Sequence, residues 1–491
     1  MAFCSEEINF VLIPLMAPGH TIPMVDLAKL LASRGVTITI LLTSLHATRF
    51  KAVIDRAVSS GLLIRLRQLQ FPAEEAGLPA GCESFDALPS YFLVTNFFAA
   101  INKLRDPAEK IIEEITPRPR CIICDRNIHW TAQTAEKFQI PRILFDGMSC
   151  FSQMSIHNLY ILQDDNRIPE TAPFLIPDMP DRIEVRRAQL PGAFNPGTLD
   201  MGDVREQIRA SEAGAYGYII NSFEELEQKY VEEFRKVKGG KNVWCVGPLS
   251  LCNEDSVDKA QRGNPTTSID QENFLKWLDS RQPGSVVYAC LGSLARFTIA
   301  QFIELALGLE DSNRPFILVV KAGDKQLEVE RWISENQFEE RVQNRSLLIR
   351  GWAPQVLILS HPSIGAFLTH CGWNSTLEGI TAGVPLITWP LFAEQFLNEK
   401  FVLNVIGTGV SVGSESIMFM LEEDRSKRKV GRENVRSAIE RAMEQGKEGN
   451  RVREAARKVG EMAKKAVQVG GSSHLNLTLL IQQIIISAQN N

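Results

Sequence analysis

Short apolar runs alternate with amphipathic segments of helical length through most of this chain. The run INFVLIPL is followed by the helical pattern TIPMVDLAKLLASRG, which ends at Gly35, and then by a second run, VTITILLT. Further on, RCIICD and RILF flank the helical segment TAQTAEKF. Strands that alternate with helices form βαβ units, which build parallel sheets buried on both faces. The pattern therefore predicts an α/β fold with parallel sheets.

The same rhythm starts again in the second half of the chain. Its strand-like runs are SVVYACLGS, PFILVVK, SLLIRG, SIGAFLTH and VPLITWPL. Because 491 residues exceed what one ordinary core organises, two domains are expected. The polar stretch NEDSVDKAQRGNPTTS, at 253–268, is the best linker candidate. We predict an N-terminal domain at 1–250, a linker at 251–270, a C-terminal domain at 271–460, and a helix at 461–491 that packs back on the N-terminal domain.

Composition and charge argue against several classes of protein. The net charge is −5 and no strongly basic tract accompanies aromatic residues, which argues against nucleic-acid binding. No apolar stretch reaches the roughly eighteen residues that span a bilayer, and the acidic start of the chain is unlike a signal peptide. Nine scattered cysteines are typical of a reduced protein. We expect a cytoplasmic protein without integral membrane association, and a monomer by default.

Two motifs resemble those of other functions but lack a requirement of each. Cys121 and Cys124 have the spacing of a redox pair, but residues three apart on a strand point to opposite faces. The stretch GTGVSVG at 407–413 has Val412 where a dinucleotide fingerprint requires its third glycine. A nicotinamide-dependent oxidoreductase is therefore unsupported.

The most informative stretch begins at Trp352 and ends at Gln395. Within it, SIGAFLTH is a predicted buried strand that ends at His370, CGWN is a tight turn, and STLEGITAG opens a helix. A helix N-terminus with imidazole, amide and hydroxyl donors suits a phosphate or diphosphate. Ser375 and Glu378 also have the spacing of a capping box, which needs no ligand. Spacing alone leaves both interpretations open.

This stretch resembles the 44-residue donor-binding signature of the plant secondary-product UDP-glycosyltransferases, both in length and in its HCGWNST-E centre. The segments PLMAPGHTIPMVDLAKLL, GSVVYACLGSL and NSFEELE agree with the same family. The resemblance implies the GT-B fold, in which two Rossmann-like domains with parallel sheets face each other across a cleft. It implies that the UDP-sugar binds the C-terminal domain and the acceptor the N-terminal one.

The resemblance also implies a set of donor-binding residues. Those that would hold the uracil and ribose are Trp352, Ala353, Gln355 and Glu378. Those that would bind the diphosphate are His370, Asn374, Ser375 and the Trp373 backbone, helped by Ser293, and Gly19 and Gly372 are further UDP-sugar-binding residues. Those that would bind the sugar hydroxyls are Glu394 and Gln395, and a terminal glutamine is typical of enzymes that prefer UDP-glucose. A helix dipole and neutral donors can stabilise the leaving diphosphate, so we expect no metal, and no cofactor besides the UDP-glucose co-substrate.

His20 follows the first predicted strand where a helix begins, and Asp125 ends RCIICD. Parallel strands deliver their carboxyl ends to one edge of a sheet, so these two side chains can meet. The helix N-terminus disfavours imidazolium, and a carboxylate on the other ring nitrogen fixes the tautomer. In the resembling family the matching histidine deprotonates the acceptor hydroxyl and the matching aspartate supports it. The oxygen then attacks the anomeric carbon opposite UDP, which converts an α-linked donor sugar into a β-glycoside. A lone histidine would more often close a helix end; Asp125 and the donor signature favour catalysis.

The residues after Asp125 depart from the family pattern of small apolar residues and a proline. Here the stretch that begins at Asp125 is DRNIHWT. Arg126 could therefore compete for Asp125, and His129 could be mistaken for a second base. We retain Asp125 as the predicted partner of His20.

The acceptor is the least constrained part of the prediction. Candidate lining residues are Phe92, Phe97, Met148, Phe151 and Phe194. Aromatic residues at such spacing are more often core than pocket. The details are closest to the branch that acts on flavonoids, cytokinins, steroids and triterpenoids, which predicts a lipophilic alcohol or phenol. C-glycosylation would use the same residues, and a UDP-sugar-binding protein without turnover is a further alternative, although it would need neither His20 nor Asp125.

Overall fold

The computed structural model describes residues 8–195, 201–263, 271–292, 298–321, 325–418 and 430–489. The chain forms two compact units. The first comprises Met1–Ser149, Asp200–Pro265 and Ala466–Asn491, and the second comprises Cys150–Leu199 and Thr266–Lys465. Each unit is built around a parallel sheet, which confirms the predicted α/β class.

A seven-stranded parallel sheet forms the centre of the first unit, in the order β3-β2-β1-β4-β5-β8-β9. Its strands are β1 (Asn9–Ile13), β2 (Thr37–Thr43), β3 (Ile64–Leu69), β4 (Cys121–Asp125), β5 (Arg142–Asp146), β8 (Gly217–Ile220) and β9 (Asn242–Cys245). The strand order reverses between β1 and β4, which pair directly with Ile13 opposite Cys124. In open α/β sheets ligands bind at such a switch point, outside the carboxyl ends of the strands.

The helices of the first unit connect these strands. They are α1 (Pro18–Ala32), α2 (Ser44–Ser59), α3 (Val94–Lys103), α4 (Arg105–Glu114), α5 (Thr131–Phe138), α7 (Gly202–Ser211), α8 (Glu224–Val237), α9 (Ser256–Gln261) and α19 (Ser472–Gln489). Helix α1 was expected over Thr21–Gly35; it begins and ends three residues earlier, because Pro18 suits a first helical position and Gly35 has φ 83°. His20 therefore lies inside the first turn of α1.

The second unit contains a six-stranded parallel sheet in the order β12-β11-β10-β13-β14-β15. Its strands are β10 (Val286–Cys290), β11 (Phe316–Val320), β12 (Ser346–Arg350), β13 (Ile364–Thr369), β14 (Leu386–Thr388) and β15 (Gly409–Ser411). A two-stranded antiparallel pair, β6 (Phe174–Leu175) and β7 (Glu184–Val185), lies outside this sheet. Here the order reverses between β10 and β13, which therefore form the second switch point.

Helices cover the second sheet and close its core, which includes Val287, Leu318, Leu368 and Ile387. They are α6 (Cys150–Asp164), α10 (Gln271–Asp279), α11 (Ile299–Asp311), α12 (Gln326–Glu335), α13 (Phe338–Val342), α14 (Gln355–Leu359), α15 (Trp373–Ala382), α16 (Gln395–Lys400), α17 (Arg432–Met443) and α18 (Lys447–Val467), the last of which crosses into the first unit. No helix in the described ranges is long and apolar enough to cross a bilayer.

The predicted linker and the predicted terminal helix both make polar contacts within the first unit. Asp258, in α9 of the predicted linker, pairs with Lys29 of α1 and with Arg56 of α2. In the terminal helix α19, the Asn476 side chain donates to the Cys245 carbonyl at the end of β9.

Candidate functional site: two switch points

A histidine and a carboxylate meet at the switch point of the first unit. Nδ1 of His20 lies 2.7 Å from Oδ2 of Asp125, at the end of β4. Asp125 is 1% exposed, whereas a third of the His20 side chain, 33%, is exposed. The expected meeting of the two residues follows from the adjacency of β1 and β4, since Asp125 ends β4 and His20 lies in the first turn of α1, the helix that follows β1. Gly19 lies exposed beside His20 in the same helical turn.

The carboxylate of Asp125 is held in place from its other side. Its Oδ1 accepts hydrogen bonds from the backbone N–H and the side-chain amide of Asn127, both at 2.9 Å. Burial alone would raise the pKa of Asp125, but the charge and hydrogen bond of His20 and the two Asn127 donors lower it below its ordinary value. Asp125 is thus a fixed anion. Asn127 belongs to the segment that departs from the family pattern, and sequence reasoning gave it no role.

Arg126 is bound elsewhere. Its Nε donates to Glu212 at 2.6 Å and its Nη1 lies 3.5 Å from Asp146. Although burial alone would lower the pKa of Arg126, these two carboxylates raise it. Arg126 lies in the turn that follows β4, and its side chain extends to Glu212 and Asp146.

A second histidine supports the turn that carries His20. His46 is fully buried, and burial lowers its pKa to about 4, so that its ring is neutral near pH 7. Its Nδ1 lies 3.3 Å from the Thr21 hydroxyl, which in turn donates to carbonyls of the turn, Leu15 at 2.9 Å and Ala17 at 3.1 Å. Sequence reasoning missed His46, because it lies on α2 and its contact with Thr21 of α1 belongs to no local motif.

At the switch point of the second unit, the His370 ring is enclosed by glycines. A Cβ on Gly372 would lie 2.4 Å from the His370 Nε2, and a Cβ on Gly292 would lie 2.6 Å from the ring. Burial lowers the pKa of His370 to about 4, and its Nδ1 is buried without a hydrogen-bond partner in the described structure. The ring is therefore a neutral, fixed group whose polar atom suits a ligand oxygen. Ser293, which follows Gly292, lies outside the described residues.

Helix α15 begins at Trp373 with Gly372 as its N-cap, two residues earlier than expected. Ser375 consequently lies in the third helical position, and the capping-box interpretation of Ser375 and Glu378 is wrong. Because Gly372 has no side chain, no side-chain hydrogen bond caps this helix end. The backbone N–H groups of the first turn carry the positive end of the helix dipole. Trp373 is buried in that turn, and Asn374 is half-buried.

Gln355 joins two other predicted donor-binding residues, Ser375 of the predicted diphosphate set and Glu378 of the predicted nucleoside set. The Gln355 amide donates to the Ser375 hydroxyl at 3.0 Å and to the Glu378 carboxylate at 2.7 Å. The phenol of Tyr288, buried on β10, donates to the side-chain oxygen of Gln355 at 3.4 Å. Sequence reasoning missed this contact. Beside this cluster Trp352 and Ala353 are half-buried, and the Trp352 indole N–H is buried without a partner in the described structure.

Glu394 and Gln395 lie at the start of α16. The Gln395 side-chain oxygen accepts hydrogen bonds from the backbone N–H groups of Leu391 at 2.9 Å and Phe392 at 3.1 Å. These bonds orient Gln395 and leave its amide group as the donor toward any ligand. The Glu394 carboxylate accepts a hydrogen bond from Asn398, one turn further along. Within the described ranges, no group of three or more His, Cys, Asp or Glu side chains could hold a metal ion.

The five acceptor candidates lie in different surroundings. Phe97 packs edge-on against Phe85 in the first unit, and Phe151 packs against Phe401 in the second, so both are core side chains. Phe194, 1% exposed, contacts Tyr160. Phe92 is 61% exposed and Met148 is half-buried. The described ring contacts do not join these candidates into one cluster, so the acceptor pocket stays a prediction.

Two Rossmann-like parallel-sheet domains of this topology define the GT-B class of glycosyltransferases. The family model described as glycosyltransferase, N-terminal domain matches residues 6–251, and the model of UDP-glucoronosyl and UDP-glucosyl transferases matches residues 262–422. UDP-glycosyltransferase 73C6 of Arabidopsis thaliana is 48% identical over 487 residues, covering 99% of this chain and 98% of the relative.

Solved structures agree with the sequence relatives. The crystal structure of UGT73P12 from Glycyrrhiza uralensis, complexed with glycyrrhetinic acid 3-O-monoglucuronide, is 36% identical with a TM-score of 0.89 and covers 99% of this chain and 97% of that one. That of UGT89C1 from Arabidopsis thaliana, complexed with UDP-L-rhamnose, is 28% identical with a TM-score of 0.74 and covers 98% of this chain and 100% of that one. The chain therefore belongs to the family 1 UDP-glycosyltransferases of plants, in the UGT73 family, and is a glycosyltransferase.

Proposed function

We propose that this enzyme transfers glucose from UDP-glucose to a hydroxyl group of a small lipophilic acceptor, such as a flavonoid or a triterpenoid, with inversion and without a metal ion. We further propose that it works in the cytoplasm as a monomer. The 2.7 Å contact between His20 Nδ1 and Asp125 is the observation that carries the proposal. A protein that only binds a sugar nucleotide would need no such pair.

The proposed base is the Nε2 atom of His20. With its Nδ1–H donated to the Asp125 carboxylate, neutral His20 carries its lone pair on Nε2. This lone pair accepts the proton of the acceptor hydroxyl while the oxygen attacks the anomeric carbon from the face opposite UDP. The bond from that carbon to the diphosphate oxygen breaks and its electrons leave with UDP, so an α-linked sugar becomes a β-glycoside. Asp125 stabilises the imidazolium as it forms.

The proposed donor site lies in the second unit, around the first turn of α15 and His370. The first turn of α15, with Gly372, Trp373, Asn374 and Ser375, and neutral His370 would stabilise the diphosphate by dipoles and hydrogen bonds. The nucleoside would be held by Trp352, Ala353, Gln355 and Glu378, and the sugar by Glu394 and Gln395. Gly19 and Ser293 complete the proposed donor set. The first turn of α15 and neutral His370 support a metal-independent reaction, since they supply at the diphosphate the charge stabilisation that a metal would otherwise provide.

The amide of Gln395 supports glucose as the sugar, since its side-chain oxygen is bound to backbone and its N–H groups remain for sugar hydroxyls. The complex of UGT73P12 with glycyrrhetinic acid 3-O-monoglucuronide supports a polycyclic lipophilic acceptor. The candidates Phe92, Phe97, Met148, Phe151 and Phe194 stay proposals for its binding.

The test is UDP release from UDP-glucose with a mixed panel of flavonols, sapogenins and phenols, with product masses recorded. We expect release that depends on the acceptor and a product heavier by one hexose. Products that resist acid hydrolysis would indicate C-glycosylation instead. Binding of UDP-glucose without release across the panel would favour the binding-protein alternative.

A further inference from the structure

Asn398 is fully buried on α16, outside every motif considered above. Its side-chain amide donates to the backbone carbonyl of Cys371 at 2.8 Å and to the Glu394 carboxylate at 3.3 Å. Its side-chain oxygen accepts a hydrogen bond from the Ser152 hydroxyl of α6 at 2.7 Å. One side chain thus connects the turn before α15 with the residue proposed to hold the sugar.

The turn that Asn398 contacts has a backbone that needs support. Cys371 has φ 65°, in the left-handed region that non-glycine residues occupy at a cost. Its own N–H donates to the Thr369 hydroxyl at 3.3 Å, and its carbonyl is the group that Asn398 binds. The orientation of this peptide sets the direction of the next N–H groups, those of Gly372 and Trp373.

We propose that Asn398 is a positioning residue that couples the diphosphate site to the sugar site. It holds the Cys371 peptide so that the first N–H groups of α15 face the diphosphate, and it orients Glu394 toward the sugar hydroxyls. This role rests on the proposed function, because it assumes that UDP-glucose binds here. Ser152 orients the Asn398 amide by occupying its oxygen.

The test compares Asn398→Ala with a matched variant, Asn158→Ala. Asn158 is also a buried asparagine of the second unit, and its described hydrogen bonds go to the Pro177 carbonyl at 2.8 Å and to the Met179 sulfur, neither of which belongs to the proposed site. Calorimetry would measure the dissociation constants of UDP and of UDP-glucose without acceptor, and thermal unfolding would measure Tm.

Both variants should lower Tm. Asn398→Ala should also weaken UDP binding about tenfold, because the misplaced turn loses hydrogen bonds to the diphosphate. Binding of UDP-glucose should be weakened roughly threefold more than binding of UDP, because Glu394 is no longer oriented toward the sugar. Asn158→Ala should leave both constants within about twofold of wild type.

Asn398→Asp provides a second variant should the alanine variant not fold. An ionised aspartate cannot donate to Cys371, whereas a protonated one can, so UDP-glucose binding should recover as the pH falls in this variant only. Wild-type affinities in Asn398→Ala, with only Tm lowered, would overturn the positioning role while leaving the proposed function intact. A wild-type protein that binds neither UDP nor UDP-glucose would contradict the proposed donor site and this role with it.

Discussion

The two switch points share one topology but differ in electrostatics. In each sheet the strand order reverses, and a histidine follows the carboxyl end of a central strand. His20 is partly exposed and paired with a buried carboxylate, whereas His370 is packed between glycines and its pKa is lowered to about 4 by burial. A carboxylate partner prepares an imidazole to gain a proton, while burial without one keeps it neutral. The same position in the fold thus suits proton transfer in one unit and anion binding in the other.

Asp125→Asn is expected to give the largest difference between the loss of transfer rate and the loss of donor binding. The amide removes the charge that stabilises imidazolium and permits the wrong tautomer of His20, so kcat/KM should fall by roughly 10³-fold. The dissociation constant of UDP-glucose should stay within about twofold of wild type. Steady-state kinetics and calorimetry measure the two quantities. An equal loss of rate and of donor binding would mean that the switch points do not divide the work as described.

Gly372→Ala should give the converse pattern. Its φ of −59° permits any residue, so the only consequence is the Cβ placed 2.4 Å from His370 Nε2, which must displace the ring. We expect UDP binding to weaken by roughly thirtyfold, equivalent to about 2 kcal/mol. Gly446→Ala is the control, because a Cβ there meets nothing within 4 Å. Unchanged UDP binding in Gly372→Ala would remove His370 and its turn from the donor site.

The pH dependence of the two steps should differ. His370, with a pKa of about 4, stays neutral over the whole range from about pH 5.5 to pH 8, so UDP-glucose binding should be flat there. The lowered pKa of Asp125 keeps that carboxylate charged over the same range. The transfer rate should fall toward acid pH, because a protonated His20 cannot accept the acceptor's proton. Binding that falls in parallel with the rate would show that one group controls both steps.

The smallest effect on catalysis is expected from Arg126→Gln. This change removes the buried cation from Asp146 and leaves Glu212 paired with Lys238, so the protein should lose about 3 kcal/mol of stability, measured by denaturant unfolding. Because the Asp125 carboxylate is held by His20 and Asn127 while the Arg126 ion pairs are with Glu212 and Asp146, kcat/KM and its pH profile should change by less than about threefold. A shifted pH profile would show that Arg126 does act on Asp125.

The sequence predicted what depends on strand order and local pattern. The alternation of strands and helices led to two parallel sheets, and the rule that ligands bind at the carboxyl ends of strands brought His20 and Asp125 to one edge. The sequence could not predict the direction of the side chain that follows β4. The Arg126 side chain binds Glu212, which lies 86 residues away in the chain. Asn398 was missed for a similar reason. Its spacing from Glu394 is helical, but its contact with Cys371 exists only once α16 packs beside the turn.

The acceptor candidates show a different limit. Phe97 and Phe151 are apolar whether they line a pocket or fill a core, and residue type alone does not distinguish the two. The structure shows each of them packed against another aromatic ring.

The central claim is tested most directly by His20→Ala, assayed for UDP-glucose binding and for acceptor-dependent UDP release in the same preparation. The variant should bind UDP-glucose within about twofold of wild type, while transfer falls by at least roughly 10³-fold, because the base is gone but the anion site in the second unit remains. Equal UDP release by the variant and the wild type would contradict the assignment of His20 as the base.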